Sequence, residues 1–305
     1  MERILLKSKE GIVMPDLTYK TQRILILLIF LTIPLLLLAT FTFYPALRLI
    51  QLSFTDWDGI SKSFKWIGLA NYKEIFSNKD IFGVFSHNFY YFIGGIIQNI
   101  LALYFAIILN SKIKGRNLFR VFLFLPYILN SVATAYMFQF IFNTDHGTLN
   151  TLLDTFGLGA YKQSWLGNTS LVNISLASVS LWKYMGFNMV IYLGVLQSIP
   201  GDLYEAAKID GANSFQTLIY ITLPNIRKII ELNMLLTVSG ALEVFDIPYI
   251  ITGAAPGSDT FVTKVNDVAF KFNSIGLASA MAIVLLIIVT VVITIQRKFI
   301  LRGEE

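Results

Sequence analysis

The chain has 305 residues, 55% hydrophobic and only 14% charged, with mean hydropathy +0.65 and a formal net charge of +5. Soluble globular proteins carry roughly 25% charged residues, and the deficit here falls in recurring apolar runs of about 20 residues, the length that crosses a bilayer as a helix. An ordinary soluble domain is excluded, and an all-α polytopic membrane protein is implied. The absence of cysteine excludes disulfides, thiolate metal sites and cysteine nucleophiles. His87 and His146 stand far apart, which argues against a metal site. Nothing in the charge distribution resembles a nucleic-acid footprint.

In chain order, residues 1–23 form a polar segment with Arg3, Lys7, Lys9, Lys20 and Arg23. The first apolar run has no small-residue cleavage site and reads as an uncleaved span 1 from about Ile24 to Tyr44, with Pro34 inside and Tyr44-Pro45 at the interface. Residues 46–83 are rich in aromatics and turn formers, suited to the headgroup level. Span 2 runs from about Phe85 to Leu109 and is followed by Lys112, Lys114, Arg116 and Arg120. Span 3 covers Leu118 to Phe142 with Pro126 inside, span 4 Leu171 to Leu196, span 5 Ile229 to Ile251 and span 6 Gly276 to Ile295. The expected organisation is an N-terminal segment 1–23, a six-span domain 24–298 containing a polar loop 198–227, and a tail 299–305.

Six spans put both termini on one side. Lys and Arg number 15 on that side and 8 on the other, with Lys183 inside span 4. The positive-inside rule then makes the termini, the 110–120 hinge and the loop between spans 4 and 5 cytoplasmic.

That loop is too long for a tight turn. Asp202 with Glu205 three residues later fits a capping box, predicting a short helix from Leu203 to about Asp210. Gly211 supplies a C-terminal cap. A second helix is expected from Ser214 to about Leu223, ended or kinked by Pro224. Ala206 and Ala207 keep one face thin enough for a partner to approach. A solvated amphipathic connector accounts for the same pattern. No phosphate-binding loop of the G-x-x-x-x-G-K-[ST] kind is present, so ATP hydrolysis by this chain is not expected.

Ionisable and polar groups at membrane depth are costly and mark cavities or paths. Spans 4 and 5 carry Trp182, Lys183, Tyr184, Gly186, Asn188, Glu243, Phe245 and Asp246. Aromatic platforms beside hydrogen-bonding groups suit a pyranose, with its apolar C–H faces and polar rim. Lys183 could equally snorkel or pair with Glu243 or Asp246. Asn130, Ser131, Thr134 and Gln139 in span 3 are as readily interhelical hydrogen-bond partners.

Glu205-Ala206-Ala207, three residues, Gly211, nine residues, then Ile221-x-Leu223-Pro224 resembles the coupling-loop signature of ABC importer permeases. The surrounding Gly194–Ala212 run, Tyr44-Pro45, Gly68-Leu-Ala-Asn71-Tyr72, Leu125-Pro126 and Gly147-x-x-Asn150 are similar to the carbohydrate-uptake, maltose-F-like branch. The resemblance covers about residues 20 to 300. It implies a six-span, binding-protein-dependent permease in a bacterial cytoplasmic membrane, paired with a second homologous permease. Two cytoplasmic ATPase subunits would carry ATP and magnesium, and an extracellular solute-binding protein would deliver a sugar or oligosaccharide. No cofactor is implied on this chain. The resemblance places Glu205, Ala206, Ala207, Asp210, Gly211, Ile221, Leu223 and Pro224 at the ATPase joint, and spans 4 and 5, including Gly186-Phe187, along the path. Thr252-Gly-Ala-Ala-Pro256 departs from the family's Thr-x-Gly-Gly-Pro. A glycerol-phosphate or polyol cargo, or a stand-alone secondary carrier, are the alternatives.

Overall fold

The computed structural model describes residues 18–111 and 113–301. Arg3, Lys7, Lys9, Lys112 and Arg302, with most of the N-terminal segment and of the tail, lie outside the described residues. The chain divides into two units, Met1–Gln51 and Leu52–Glu305.

The described part of the first unit is one apolar rod. Helix α1 (Tyr19–Leu38) passes through a wide π-type turn, Ala39–Phe43, into α2 (Tyr44–Leu52), whose last residue opens the second unit. Its most apolar 18-residue stretch has mean hydropathy 2.9, and a helix apolar on all faces belongs in a membrane. Pro34 lies inside α1 as expected. The helix does not end at Tyr44-Pro45, however, but continues to Leu52. The wide turn, closed by the Tyr44 N–H on the Ala39 carbonyl, shifts the ladder just before Pro45. The ring and the missing N–H of that proline are thereby absorbed.

The second unit comprises α3 (Ala70–Ser77), α4 (Lys79–Phe82), α5 (Phe85–Asn110), α6 (Arg116–Ile128), α7 (Ser131–Ile141), α8 (Thr148–Thr155), α9 (Val172–Leu196), α10 (Gly201–Ile209), α11 (Ser214–Thr217), α12 (Leu223–Glu243), α13 (Asp246–Thr252), α14 (Phe261–Asn266) and α15 (Ile275–Leu301). Extended pairing among the described residues is confined to an antiparallel bridge between Thr55 and Trp66.

Its centre is the α5–α9 pair. Small residues set their spacing. Gly94 faces Ala177, and Ala102 and Ala106 pack with Met189, Tyr192 and Leu193. In lipid, close backbone approach of this kind supplies much of helix association. Helix α6 lies against α9, α12 against both α5 and α9, and α15 against α3 and α14. Phe261 is fully buried and stacks on Phe85, with 4.2 Å between ring centres.

The loop asparagines of the sequence motifs are backbone clamps. Asn71 Nδ2 donates to the Ser53 and Thr55 carbonyls, and Tyr72 OH meets Ser53 Oγ at 2.8 Å. Asn150 donates to the Thr144 and Gln163 carbonyls and accepts from Trp165 Nε1.

Two expected spans are broken. Span 3 is two helices, α6 and α7, that meet at 98°. Asn130 takes extended backbone and accepts from the Val132 and Ala133 amides, starting a new helix where continuation was expected. Span 5 breaks at Val244–Phe245. Pro248 is the reason, because in an unbroken helix its ring would strike the carbonyl of Val244, whereas the first turn of a new helix accepts it. The second halves α7 and α13 pack on each other, with Gln139 Nε2 on the Ile251 carbonyl at 3.1 Å. Five helical stretches are long and apolar enough to cross a membrane singly, and the bent pair is the sixth candidate.

Candidate functional site

A cavity of about 400 Å³ opens where α5, α9 and α12 meet the break before α13. Its lining includes Tyr91, Gly95 and Gln98 from α5, and Ser180, Tyr184, Phe187 and Asn188 from α9. Leu236, Thr237 and Gly240 contribute from α12, and Glu243, Val244, Phe245 and Asp246 from the break. The break is what turns the last group inward, since an unbroken helix would spread these consecutive residues around its circumference. Asp246 falls in the first turn of α13, where the helix dipole favours a carboxylate.

The cavity brings together five of the seven path residues expected from the sequence: Tyr184, Asn188, Glu243, Phe245 and Asp246. Trp182 instead sets its ring edge-on to Phe138 at 5.2 Å. Gly186 serves a helix crossing, where a Cβ would fall onto the Leu123 carbonyl of α6. Lys183 is buried, and its ammonium hydrogen-bonds Ser131 Oγ at 2.5 Å rather than Glu243 or Asp246.

Aromatic faces are supplied by Tyr184, Phe187 and Phe245, the last stacked on Tyr249 at 4.7 Å. Tyr127 stacks on Phe187 at 4.6 Å and holds that ring in place. Tyr91 OH and Ser180 Oγ are buried without a hydrogen-bond partner. The sequence reading missed Tyr91, Gln98, Ser180 and Thr237. The signal for α5 was there, in amide side chains in the middle of an apolar span.

The second feature is the polar connection from α9 to α12. Helix α10 follows Pro200 and starts at Gly201, two residues earlier than expected. The expected capping box on Asp202 is not formed, because Asp202 already lies in the first turn. A capping box forms instead at Asn213 and Gln216, opening α11. Gly211 closes α10 in the left-handed region, φ +76°. The Gly211 N–H donates to the Lys208 carbonyl and the Ala212 N–H to the Ala207 carbonyl, the paired bonds of a Schellman cap.

Pro224 does not end the second helix. The chain runs from α11 through a π-type turn, Leu218–Thr222, straight into α12, with Pro224 in its first turn. The loosened turn and the early position both suit a residue without an N–H. Tyr204 OH and Thr222 Oγ1, 3.3 Å apart, tie α10 to that turn.

Around the connection Glu205, Ala206, Asp210, Gly211 and Pro224 are exposed, Ala207 is buried, and Ile221 and Leu223 are half-buried. Leu223 packs into the inner cluster with Leu196 and Ile226. Ile209 is 86% exposed, Phe215 68% and Tyr220 76%. Large apolar side chains standing free among charged ones mark an interaction surface when they cluster.

The sequence profile of the family described as "Binding-protein-dependent transport system inner membrane component" matches residues 98–302. The chain is 34% identical over 278 residues to the "Probable ABC transporter permease protein YurN" of Bacillus subtilis (strain 168), covering 90% of this chain and 95% of that one. It is 31% identical over 272 residues to the "Multiple sugar-binding transport system permease protein MsmF" of Streptococcus mutans serotype c, covering 88% and 93%. A chain of a bacterial ABC transporter involved in the import of the acidic polysaccharide alginate has the same fold, with TM-score 0.83 over 93% of this chain and 97% of that one at 21% identity. The chain belongs to the binding-protein-dependent transport system inner membrane component family, as an ABC importer permease of the carbohydrate-uptake branch.

Proposed function

We propose that this chain is one of two homologous permeases forming the path of an ATP-driven importer. A sugar or oligosaccharide arrives from an extracellular solute-binding protein and passes through the cavity between α9 and the α12–α13 break. Two cytoplasmic ATPases, carrying ATP and magnesium, dock on α10 and α11. The six spans, counting α6 and α7 as one, leave both termini and the docking helices in the cytoplasm of a bacterial cell.

The observation that carries this proposal is the short, doubly capped helical pair between two membrane-length helices, with Glu205 and Gly211 exposed at its joint. It is stiff enough to act as a handle, and α9 and α12 leave it directly for the cavity. A rigid element connecting two sites transmits displacement where a loose loop absorbs it. The mixed aromatic, amide and carboxylate lining suits a neutral polyhydroxylated cargo.

The test is a complex of this chain with its partner permease and ATPases in liposomes, supplied with the binding protein and a sugar panel. Glu205→Lys and Gly211→Val should abolish uptake while leaving ATP hydrolysis by the ATPases. Undiminished uptake in both variants sinks the docking assignment. Uptake by the purified chain alone, without ATP, would instead establish a stand-alone carrier.

A further inference from the structure

Asn99 lies on α5 one turn after Gly95, where α5, α9 and α12 converge, and it is 5% exposed. Its amide is saturated. Nδ2 donates to the Gly95 carbonyl at 2.9 Å and to Thr237 Oγ1 at 2.6 Å. Oδ1 accepts from Tyr192 OH at 2.9 Å and from Asn188 Nδ2 at 3.3 Å. Two donors and two lone pairs are all that the group offers.

The direction of the amide is fixed by its partners. Thr237 Oγ1 gives its own proton to the Asn233 carbonyl at 2.8 Å and can only accept from Asn99. Turned around, Asn99 would set its oxygen against that acceptor and against the Gly95 carbonyl. Helices α5 and α12 touch here, since a Cβ on Gly95 would meet Thr237 Cγ2.

Asn99 is not itself part of the cavity wall, but Asn188 and Thr237 are. They come from different helices, and Asn99 bonds both. With Nδ2 of Asn188 turned to Asn99, its side-chain oxygen is the group left to accept from an occupant. We propose that Asn99 is a positioning residue for transport: by holding Asn188 and Thr237 it presents the Asn188 side-chain oxygen to a hydroxyl of the saccharide in the cavity. This rests on the cavity being the cargo path, as proposed above.

The chain has no cysteine, so Gly240→Cys at the cavity wall, where an added Cβ meets nothing within 4 Å, gives this subunit a single thiol for maleimide labelling. The assay uses the full complex in liposomes with binding protein, and maltotriose, trehalose, raffinose and chitobiose as probes. Any probe that the vesicles import should slow labelling. Asn99→Leu, similar in volume but without polar atoms, should raise the probe concentration needed for half protection about tenfold. Asn188→Ala should do the same. The double variant should be no worse than either single one, because both act through one bond.

Full protection in Asn99→Leu, or additive losses in the double variant, overturns the assignment of Asn99 while leaving the cavity as the path. Unchanged labelling with every imported probe overturns the cavity assignment, and the role of Asn99 with it. If Asn99→Leu does not assemble, Thr237→Val removes the acceptor that orients the amide. Full protection in that variant overturns the proposal equally.

Discussion

Lys183 on α9 donates to Ser131 Oγ, 2.5 Å away, across the bend that separates α6 from α7. A buried lysine thus donates to the first residue of a half-helix, so one hydrogen bond braces the bend against the central pair of helices. The two ends are unequal. Ser131→Ala strands an ammonium that is 4% exposed, whereas Lys183→Met removes the charge and leaves a half-buried hydroxyl. An unsatisfied buried donor costs about 1–3 kcal/mol, and more when charged. Ser131→Ala should therefore lower the melting temperature in detergent more than Lys183→Met does. The opposite order would mean that the charge of Lys183 answers to another group.

Two glycines of α9 should respond in opposite ways to the same substitution. A Cβ on Gly186 runs into the backbone at Leu123 and Phe124, while one on Gly194 meets nothing within 4 Å. Gly186→Ala should force α6 off α9 at a cost of about 1–3 kcal/mol or more. Gly194→Ala should be neutral or slightly stabilising, since alanine is the better helix former. Thermal unfolding of the two variants side by side checks this, and equal melting temperatures would contradict the close crossing.

Gly211 has open space around it, so its requirement is purely of the backbone. Asparagine tolerates the left-handed region and a β-branched residue does not. Gly211→Asn should retain most uptake, and Gly211→Val should lose it with the Schellman cap, a local cost of about 1–2 kcal/mol. Equal uptake in the two variants would show that the cap does not matter to coupling.

Asp58 in the loop after α2 is held down to about 2 from the ordinary 3.8, first by the Ser61 hydroxyl and then by the Ser61 and Ile60 amides. A carboxylate with a lowered value supports its loop fully above the ordinary value and loses that support as pH falls through its own. The Asp58–Ser61 turn should therefore stay intact at pH 4 and loosen toward about pH 2. Trp57 reports it directly, because its Nε1 donates to the Ser61 carbonyl at 2.8 Å. Trp57 emission should shift in that window in the unsubstituted protein, whereas in Asp58→Asn the loop should already be loosened at neutral pH. A transition at pH 4 or above would mean that the turn is not what titrates.

Helix type was legible in the sequence because uniform apolar runs near membrane length have one common solution, and the Glu205–Pro224 spacing identified the family. The breaks were less legible. Asn130 and Pro248 are ordinary punctuation marks that long apolar stretches on either side outweighed, and only packing decides whether a proline kinks a helix or starts a new one. The same is true in reverse at Pro45 and Pro224, where expected endings are absorbed by wide turns. Asn188 and Glu243, which line the cavity, were singled out by chemistry, since polar groups in a membrane helix need a reason. Asn99 was overlooked although it obeys the same rule, because its partners lie 89 and 138 positions away in sequence. No local pattern carries such distances.

The broken spans have a consequence for how the molecule loosens. Helix α7 has 11 residues and α13 has 7, each below the roughly 12–15 that make a helix persist alone in water. The 26 residues of α5 and 25 of α9 are in no such position. Melting of this short pair needs neither long helix to open, so its amide protons should be traded for deuterium well before those of the α5–α9 centre. Local opening is thus expected first in the two short pieces that border the bends and last in the α5–α9 pair.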